Sequence, residues 1–195
     1  MVARNLEAKS ELGRQIVHLI VGILIIGGLA ILWKFSAYWH MLALAITWFT
    51  LILYCSVINL HSRGIKTPID PLFNYLGKRD RFAGEGALWY LLGVMLLLAF
   101  LDRFLYVISS VYILAVGDSI ATIYSYKRGY KRSFFKGRTW LSYLAFFIFT
   151  LPLSIFAGVK IIPLIILCAV FESLDFRIND NFLIPVICAI YFTVF

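Results

Sequence analysis

The sequence has few charged residues and little cysteine, and both shortages exclude classes of protein. Only 14% of its 195 residues are charged and 62% are hydrophobic, which indicates an integral membrane protein rather than a soluble domain. Its three cysteines, Cys55, Cys168 and Cys188, lie in separate apolar segments. They are therefore neither a disulfide framework nor a metal-binding motif.

Acidic residues are also scarce, at 10 against 18 Lys and Arg, which gives a net charge of +8. A basic chain can bind nucleic acid, but here the basic residues lie in short segments between long apolar runs. Cytoplasmic loops of membrane proteins have that pattern. We therefore expect no nucleic-acid partner, and any chemistry must take place at or in the lipid bilayer.

The apolar runs predict an all-α, polytopic membrane helix bundle that forms one catalytic domain over residues 1–195. About seven transmembrane helices are expected, the last of them short for a hydrocarbon core of about 30 Å. Between the second and third, Pro68 and Pro71 interrupt regular helix, so residues 61–86 form a long loop whose middle lies on the membrane surface. The predicted helices are residues 13–33, 38–60, 87–101, 104–125, 140–156, 159–174 and 182–195.

The distribution of basic residues predicts the orientation of the bundle. With seven spans, fifteen of the 18 Lys and Arg residues fall on one side, and only Lys34, Arg103 and Lys160 fall on the other. The positive-inside rule then places the N-terminus and the basic segments in the cytoplasm. The polar residues within the helices also lie toward that side. A transporter needs polar groups near the midplane and beyond, so this pattern favours an enzyme acting at the cytoplasmic face.

The most informative stretch joins a membrane helix to a basic segment. Asp118 lies in the apolar part, and six cations follow: Lys127, Arg128, Lys131, Arg132, Lys136 and Arg138. An acid inside a membrane helix is costly and functional by default. Mg²⁺ binds one or two carboxylates plus phosphate oxygens, and cations screen the remaining phosphate charge. The stretch therefore favours a site for Mg²⁺ and a polyphosphate over a simple topological anchor.

Several short motifs occur in a fixed order along the chain. Glu11-Leu-Gly-Arg14 precedes His18, Gly117-Asp118 precedes Ala121, and Glu172-Ser-Leu precedes the final segment. The others are GALWYLLG at 86–93, the basic segment that ends in Gly137-Arg138-Thr139, and NDNFLIP at 179–185. With these motifs, the chain resembles the polyprenol/dolichol kinase family of membrane lipid kinases, which includes phytol kinases and the CTP-dependent diacylglycerol kinase.

The resemblance implies an all-helical fold and phosphoryl transfer from a nucleotide, usually CTP, to the hydroxyl of a membrane lipid alcohol. It also implies an active site that includes Asp118, Glu172, Asp180 and the basic residues. We predict a catalytic set of Asp118, Glu172, Asp180 and His18. The predicted nucleotide-binding residues are Arg14, Lys127, Arg128, Lys131, Arg132, Lys136, Gly137, Arg138, Thr139, Asn179 and Asn181.

The three acids of this set are expected at similar depth and within about 10 Å of one another, because metal–phosphate coordination allows little more. Asp118 and Asp180 are the predicted Mg²⁺ ligands. Glu172, in the more apolar position, is expected to accept the proton of the lipid hydroxyl. The alternative is that Glu172 or Asp180 only pairs with an arginine, and His18 is as consistent with a structural histidine as with a catalytic one.

Two other functions stay open. The first is a CTP-dependent cytidylyltransferase that acts on a lipid phosphate, although its Lys-Asp and His-Gly-Gly motifs are absent. The second is a non-catalytic lipid-binding membrane protein, which the cost of burying several acids disfavours. No P-loop motif is present. The sequence distinguishes neither the lipid alcohol nor CTP from ATP, and a homo-oligomer is possible.

Overall fold

The computed structural model describes residues 2–76, 82–127, 140–173 and 178–195, and within these ranges it is helical, without strands. The predicted all-α fold is therefore confirmed for the described chain. The helices are α1 (Val2–Phe35), α2 (Trp39–Ser62), α3 (Asp70–Leu76), α4 (Glu85–Phe100), α5 (Phe104–Tyr112), a π-helical segment (Ile113–Asp118), α6 (Ser119–Lys127), α7 (Trp140–Thr150), α8 (Leu153–Ala157), α9 (Ile161–Ser173) and α10 (Asp180–Val194).

Three helices are long and apolar enough to cross a membrane: Leu12–Phe35, Trp39–Ser62 and Phe104–Tyr124. Four shorter apolar helices accompany them in the described chain: Glu85–Phe100, Leu141–Thr150, Ile161–Glu172 and Asp180–Val194. The protein is thus membrane-associated. Since 15 residues of α-helix span only about 22 Å, the shorter helices do not by themselves establish full spans, and seven spans stay a prediction.

The helix boundaries depart from the predicted ones at three places. Helix α1 begins at Val2 instead of residue 13, because residues 2–12 are rich in good helix formers such as Leu, Glu, Ala and Lys. The predicted helix 140–156 is divided into α7 and α8 around Pro152, which cannot continue the backbone hydrogen bonds of α7. The predicted loop contains α3, whose Asp70 carboxylate accepts the Thr67 backbone N–H at 2.9 Å.

The segments α5, π and α6 form one continuous helix, Phe104–Lys127, which we call the central helix. Its π segment packs against α1, α7, α9 and α10, while α4 packs mainly against α10 and α2. Fully buried Leu97, Ile113, Leu164 and Ile184 join these elements in one hydrophobic core. The central helix therefore lies where the other helices converge.

Candidate functional site

The π segment ends at the acid that the sequence analysis singled out. All six of its residues are buried, and Asp118 is 5% exposed. A π turn accommodates an extra residue within an α-helix and often occurs at a functional site. The Thr122 hydroxyl, one turn later, donates a long hydrogen bond of 3.5 Å to Oδ1 of Asp118. The carboxylate is thus held inside the bundle.

A glycine allows the tight packing around this segment. A Cβ on Gly117 would lie 2.7 Å from two ring carbons of Phe146 in α7, which is closer than van der Waals contact allows. Phe146 is 1% exposed and belongs to the core. Gly117 therefore lets α7 approach the backbone next to Asp118.

His18 of α1 lies beside the same segment. Its Nε2 is 3.4 Å from the carbonyl oxygen of Leu114. A carbonyl only accepts hydrogen bonds, so Nε2 carries the proton in this contact. Asp118 is close enough to interact electrostatically with the imidazole. The ring of Tyr90 packs edge-on against His18, with 4.4 Å between the ring centroids. The structure therefore places His18 beside the π segment that ends at Asp118.

Three predicted nucleotide-binding residues meet where α4 and α10 begin. The Asn181 side chain donates a 2.9 Å hydrogen bond from Nδ2 to the Gly86 carbonyl, and Asn179 caps α10 by accepting the Asn181 N–H at 3.1 Å. A Cβ on Gly86 would lie 3.6 Å from Nη1 of Arg14. The Arg14 guanidinium and two helix N-termini, which carry partial positive charge, therefore meet here, together with the first-turn acids Glu85 and Asp180.

The other two predicted acids lie on α9 and α10. Glu172 is 1% exposed near the end of α9, which packs against both the π segment and α10. Asp180 lies in the first turn of α10. Within the described ranges, no group of three His, Cys, Asp or Glu side chains is arranged to hold a metal ion. A Mg²⁺ site made of one or two carboxylates plus phosphate oxygens does not require such a group, and the three-acid convergence stays a prediction.

Most of the predicted basic residues lie outside the part of the chain that the structure describes. Lys127 ends α6, but only its backbone is described. The residues outside the description are Arg128, Lys131, Arg132, Lys136, Gly137, Arg138 and Thr139.

Sequence reasoning assigned no site role to Thr122 or to Tyr90, although Tyr90 lies in the GALWYLLG motif at 86–93. Thr122 could have been found, because it follows Asp118 by four residues and helical residues four apart are neighbours. Tyr90 lies in an apolar run and gives no periodic signal. Its proximity to His18 arises only from the packing of α4 near α1.

The chain is similar to the uncharacterized protein MJ1137 of Methanocaldococcus jannaschii. The two are 31% identical over 182 residues, which cover 92% of this chain and 91% of that protein. No family model matches the chain, and no solved structure matches it.

Proposed function

This chain belongs to the same family as the Methanocaldococcus jannaschii protein MJ1137, and we propose that it is a membrane enzyme that transfers a phosphoryl group from a nucleotide to a lipid alcohol. The observation that carries the proposal is the buried Asp118 at the end of a π segment, with His18 beside it. A carboxylate at such a depth is expensive unless a cation or a ligand uses it.

The Arg14 guanidinium, together with the helix starts beside Asn179 and Asn181, supports a nucleotide-binding role. Guanidinium groups and helix N-termini both favour phosphate oxygens. Six cations from Lys127 to Arg138 follow the end of α6 in the sequence, and in this proposal they add to the positive charge that binds the phosphates. We propose that this combination holds the triphosphate of CTP or of another nucleoside triphosphate.

The acids supply the remaining chemistry of the proposed reaction. Asp118 and Asp180 would hold Mg²⁺, which neutralises phosphate charge when it is bound. The lipid hydroxyl oxygen forms a bond to the γ-phosphorus, the bond from that phosphorus to the β–γ bridging oxygen breaks, and Glu172 accepts the hydroxyl proton. Glu172 suits this role because it is buried near the end of α9, which packs against the π segment that ends at Asp118. With Nε2 directed at Leu114, His18 has Nδ1 available to orient the reacting groups.

The proposed orientation is a seven-span bundle whose N-terminus and basic segments face the cytoplasm. In a prokaryote the membrane would be the plasma membrane. It is supported by the fifteen-to-three division of Lys and Arg. A cysteine introduced at Ser133 should react with a membrane-impermeant thiol reagent only after the cells are opened. Reaction in intact cells would refute the orientation.

Isotope transfer in membranes tests the activity. Membranes containing the protein are incubated with a lipid alcohol, Mg²⁺ and either γ-labelled or α-labelled CTP or ATP. A kinase labels the lipid from the γ-position only. Labelling from the α-position would replace the proposal with a cytidylyltransferase, and no labelling from either nucleotide would support a non-catalytic lipid-binding protein.

A further inference from the structure

The hydroxyl of Tyr90 is buried without a hydrogen-bond partner among the residues that the structure describes. Tyr90 is only 4% exposed, and its hydroxyl oxygen is fully enclosed. A buried hydroxyl without a partner is destabilising. Phenylalanine would occupy the same volume without that cost. The phenol group therefore contributes something other than packing.

The surroundings of this hydroxyl connect it to the candidate site. The Tyr90 ring packs on His18, and a Cβ on Gly22, one turn after His18, would lie 2.9 Å from the Tyr90 hydroxyl oxygen. The same Cβ would overlap the Cβ of Ala115, which follows Leu114 in the π segment. The phenol thus lies between α1 and the π segment. It is next to Gly22, which is one helical turn further than His18 into the apolar part of α1.

The depth of these residues is consistent with a lipid headgroup site. Measured along the helices, His18 is about 9 Å from Leu12, where the apolar part of α1 begins. Tyr90 is about 7.5 Å from the start of α4 at Glu85. Both residues therefore lie within two helical turns of the ends of their apolar segments.

We propose that the Tyr90 hydroxyl donates a hydrogen bond to an uncharged oxygen atom of the lipid that occupies the site. The inference rests on the proposed function for the identity of that lipid as the acceptor alcohol. Tyr90 binds the lipid next to His18, and the lipid oxygen gives the buried phenol the partner that it otherwise lacks. The residue thereby selects lipids with an oxygen near the apolar end of the site.

Two lipid oxygens have the required chemistry. In a polyprenol the only oxygen is the reacting hydroxyl, whereas a diradylglycerol has ether or ester oxygens a few bonds from its hydroxyl. Binding measurements with a polyprenol and with a dialkylglycerol distinguish these two sources. An effect of Tyr90 on both lipids identifies the reacting hydroxyl, and an effect confined to the dialkylglycerol identifies a second oxygen.

The test compares Tyr90→Phe with Tyr112→Phe in detergent-solubilised full-length protein. Tyr112 is the matched control, because its hydroxyl already donates to the Phe149 carbonyl at 3.1 Å. Thermal unfolding is followed with and without each lipid, in the absence of nucleotide. We expect Tyr90→Phe to weaken the binding of at least one lipid by about three- to tenfold, the range of one hydrogen bond, without lowering the melting temperature of the lipid-free protein. Tyr112→Phe should leave lipid binding unchanged.

Unchanged affinity for both lipids in Tyr90→Phe would overturn the inference, as would a lower melting temperature without lipid and no effect on lipid binding. Because this readout needs no turnover, it separates the two proposals. Lipid binding that depends on Tyr90 in a protein without transferase activity would leave the inference standing and reject the kinase. Transferase activity whose KM for lipid is the same in wild type and Tyr90→Phe would support the kinase and reject the role of Tyr90.

Discussion

Helix α2 and the central helix are both long and apolar, yet they have opposite environments. The mean hydropathy is 2.2 for the apolar span of α2 and 1.7 for that of the central helix. In the most apolar stretch of each helix, 6% of the residues are buried in α2 and 67% in the central helix. The more hydrophobic helix is thus the exposed one. In a membrane protein the surroundings of the outer helices are lipid, so high hydropathy marks the lipid-facing surface and not the centre of the fold.

The two helices also use their polar side chains differently. In α2, the hydroxyls of Thr47, Thr50 and Ser56 each donate to the carbonyl four residues earlier, at 2.8 Å. In the central helix, Thr122 donates to the Asp118 carboxylate, and the Ser119 hydroxyl is buried without a partner in the described chain. Ser110 of the central helix also donates to the carbonyl four residues earlier, at 2.8 Å, so the difference from α2 is confined to the hydroxyls of Ser119 and Thr122, next to the buried carboxylate.

The largest difference between the two environments should come from removing the charge of Asp118. Asp118→Asn should lower phosphoryl transfer by at least about 10²–10³-fold, the usual cost of losing a transition-state electrostatic contact. The protein should still insert and fold. Asp102→Asn, in the exposed turn before the central helix, is the matched control and should retain activity. Isotope transfer and size-exclusion chromatography measure both properties, and an active Asp118→Asn would refute the assigned role.

Glycines of the two environments should differ in their tolerance of a methyl group. Gly117→Ala forces a Cβ against the Phe146 ring, so it should destabilise the protein by about 1–3 kcal/mol, as overpacking does. Gly27→Ala on α1 meets no atom within 4 Å and should be neutral or slightly stabilising because alanine favours helix. Thermal unfolding in detergent compares the two. Equal melting temperatures would show that α7 does not pack this closely.

Removing a threonine hydroxyl should lower activity in the central helix but not in α2. Thr122→Val removes the hydroxyl that holds Asp118 and should lower activity by about tenfold, since one hydrogen bond to a charged group is lost. Thr50→Val on α2 removes a hydroxyl bonded to its own helix and should leave activity unchanged. Matching losses in the two variants would mean that the contact at 3.5 Å does not orient the carboxylate.

The smallest effect is expected at the end of α2, where it meets α3. Hydrogen bonds from the Thr67 side chain and backbone, together with His61, lower the pKa of Asp70 from its ordinary value of 3.8 to about 2. A lowered pKa in the folded protein contributes stability above the unfolded pKa, and this contribution is lost as the pH falls from about 4 toward 2. The melting temperature of Asp70→Asn should therefore fall less than that of the wild type as the pH is lowered over this range. The same pH dependence in both proteins would contradict the stabilising role of Asp70.

Helix positions could be predicted because apolar runs have a minimum length and few sequence signals compete with them. The packing of His18 near Asp118 was anticipated only as a shared depth. The π segment could not be predicted, because its residues have no pattern that distinguishes a π turn from an α turn. The position of Tyr90 could not be predicted for a related reason. It depends on the close approach of Gly22 to Ala115, and the sequence of one helix does not show how closely another helix packs against it. Helix α3 was missed because Pro68 and Pro71 were interpreted as interruptions, although proline is favourable in a first turn.

The π segment also has a consequence for the alignment of the two halves of the central helix. A π turn inserts a residue into the α-helical repeat, so the side chains of α6 are rotated about the axis by about 100° relative to an uninterrupted helix. The side chains of α5 and of α6 can thereby be oriented independently within one continuous helix, in which α6 packs against α7 and α1. Deletion of a single residue between 113 and 117 would remove this phase shift and turn Asp118 toward a different neighbour, while the composition of the helix would scarcely change.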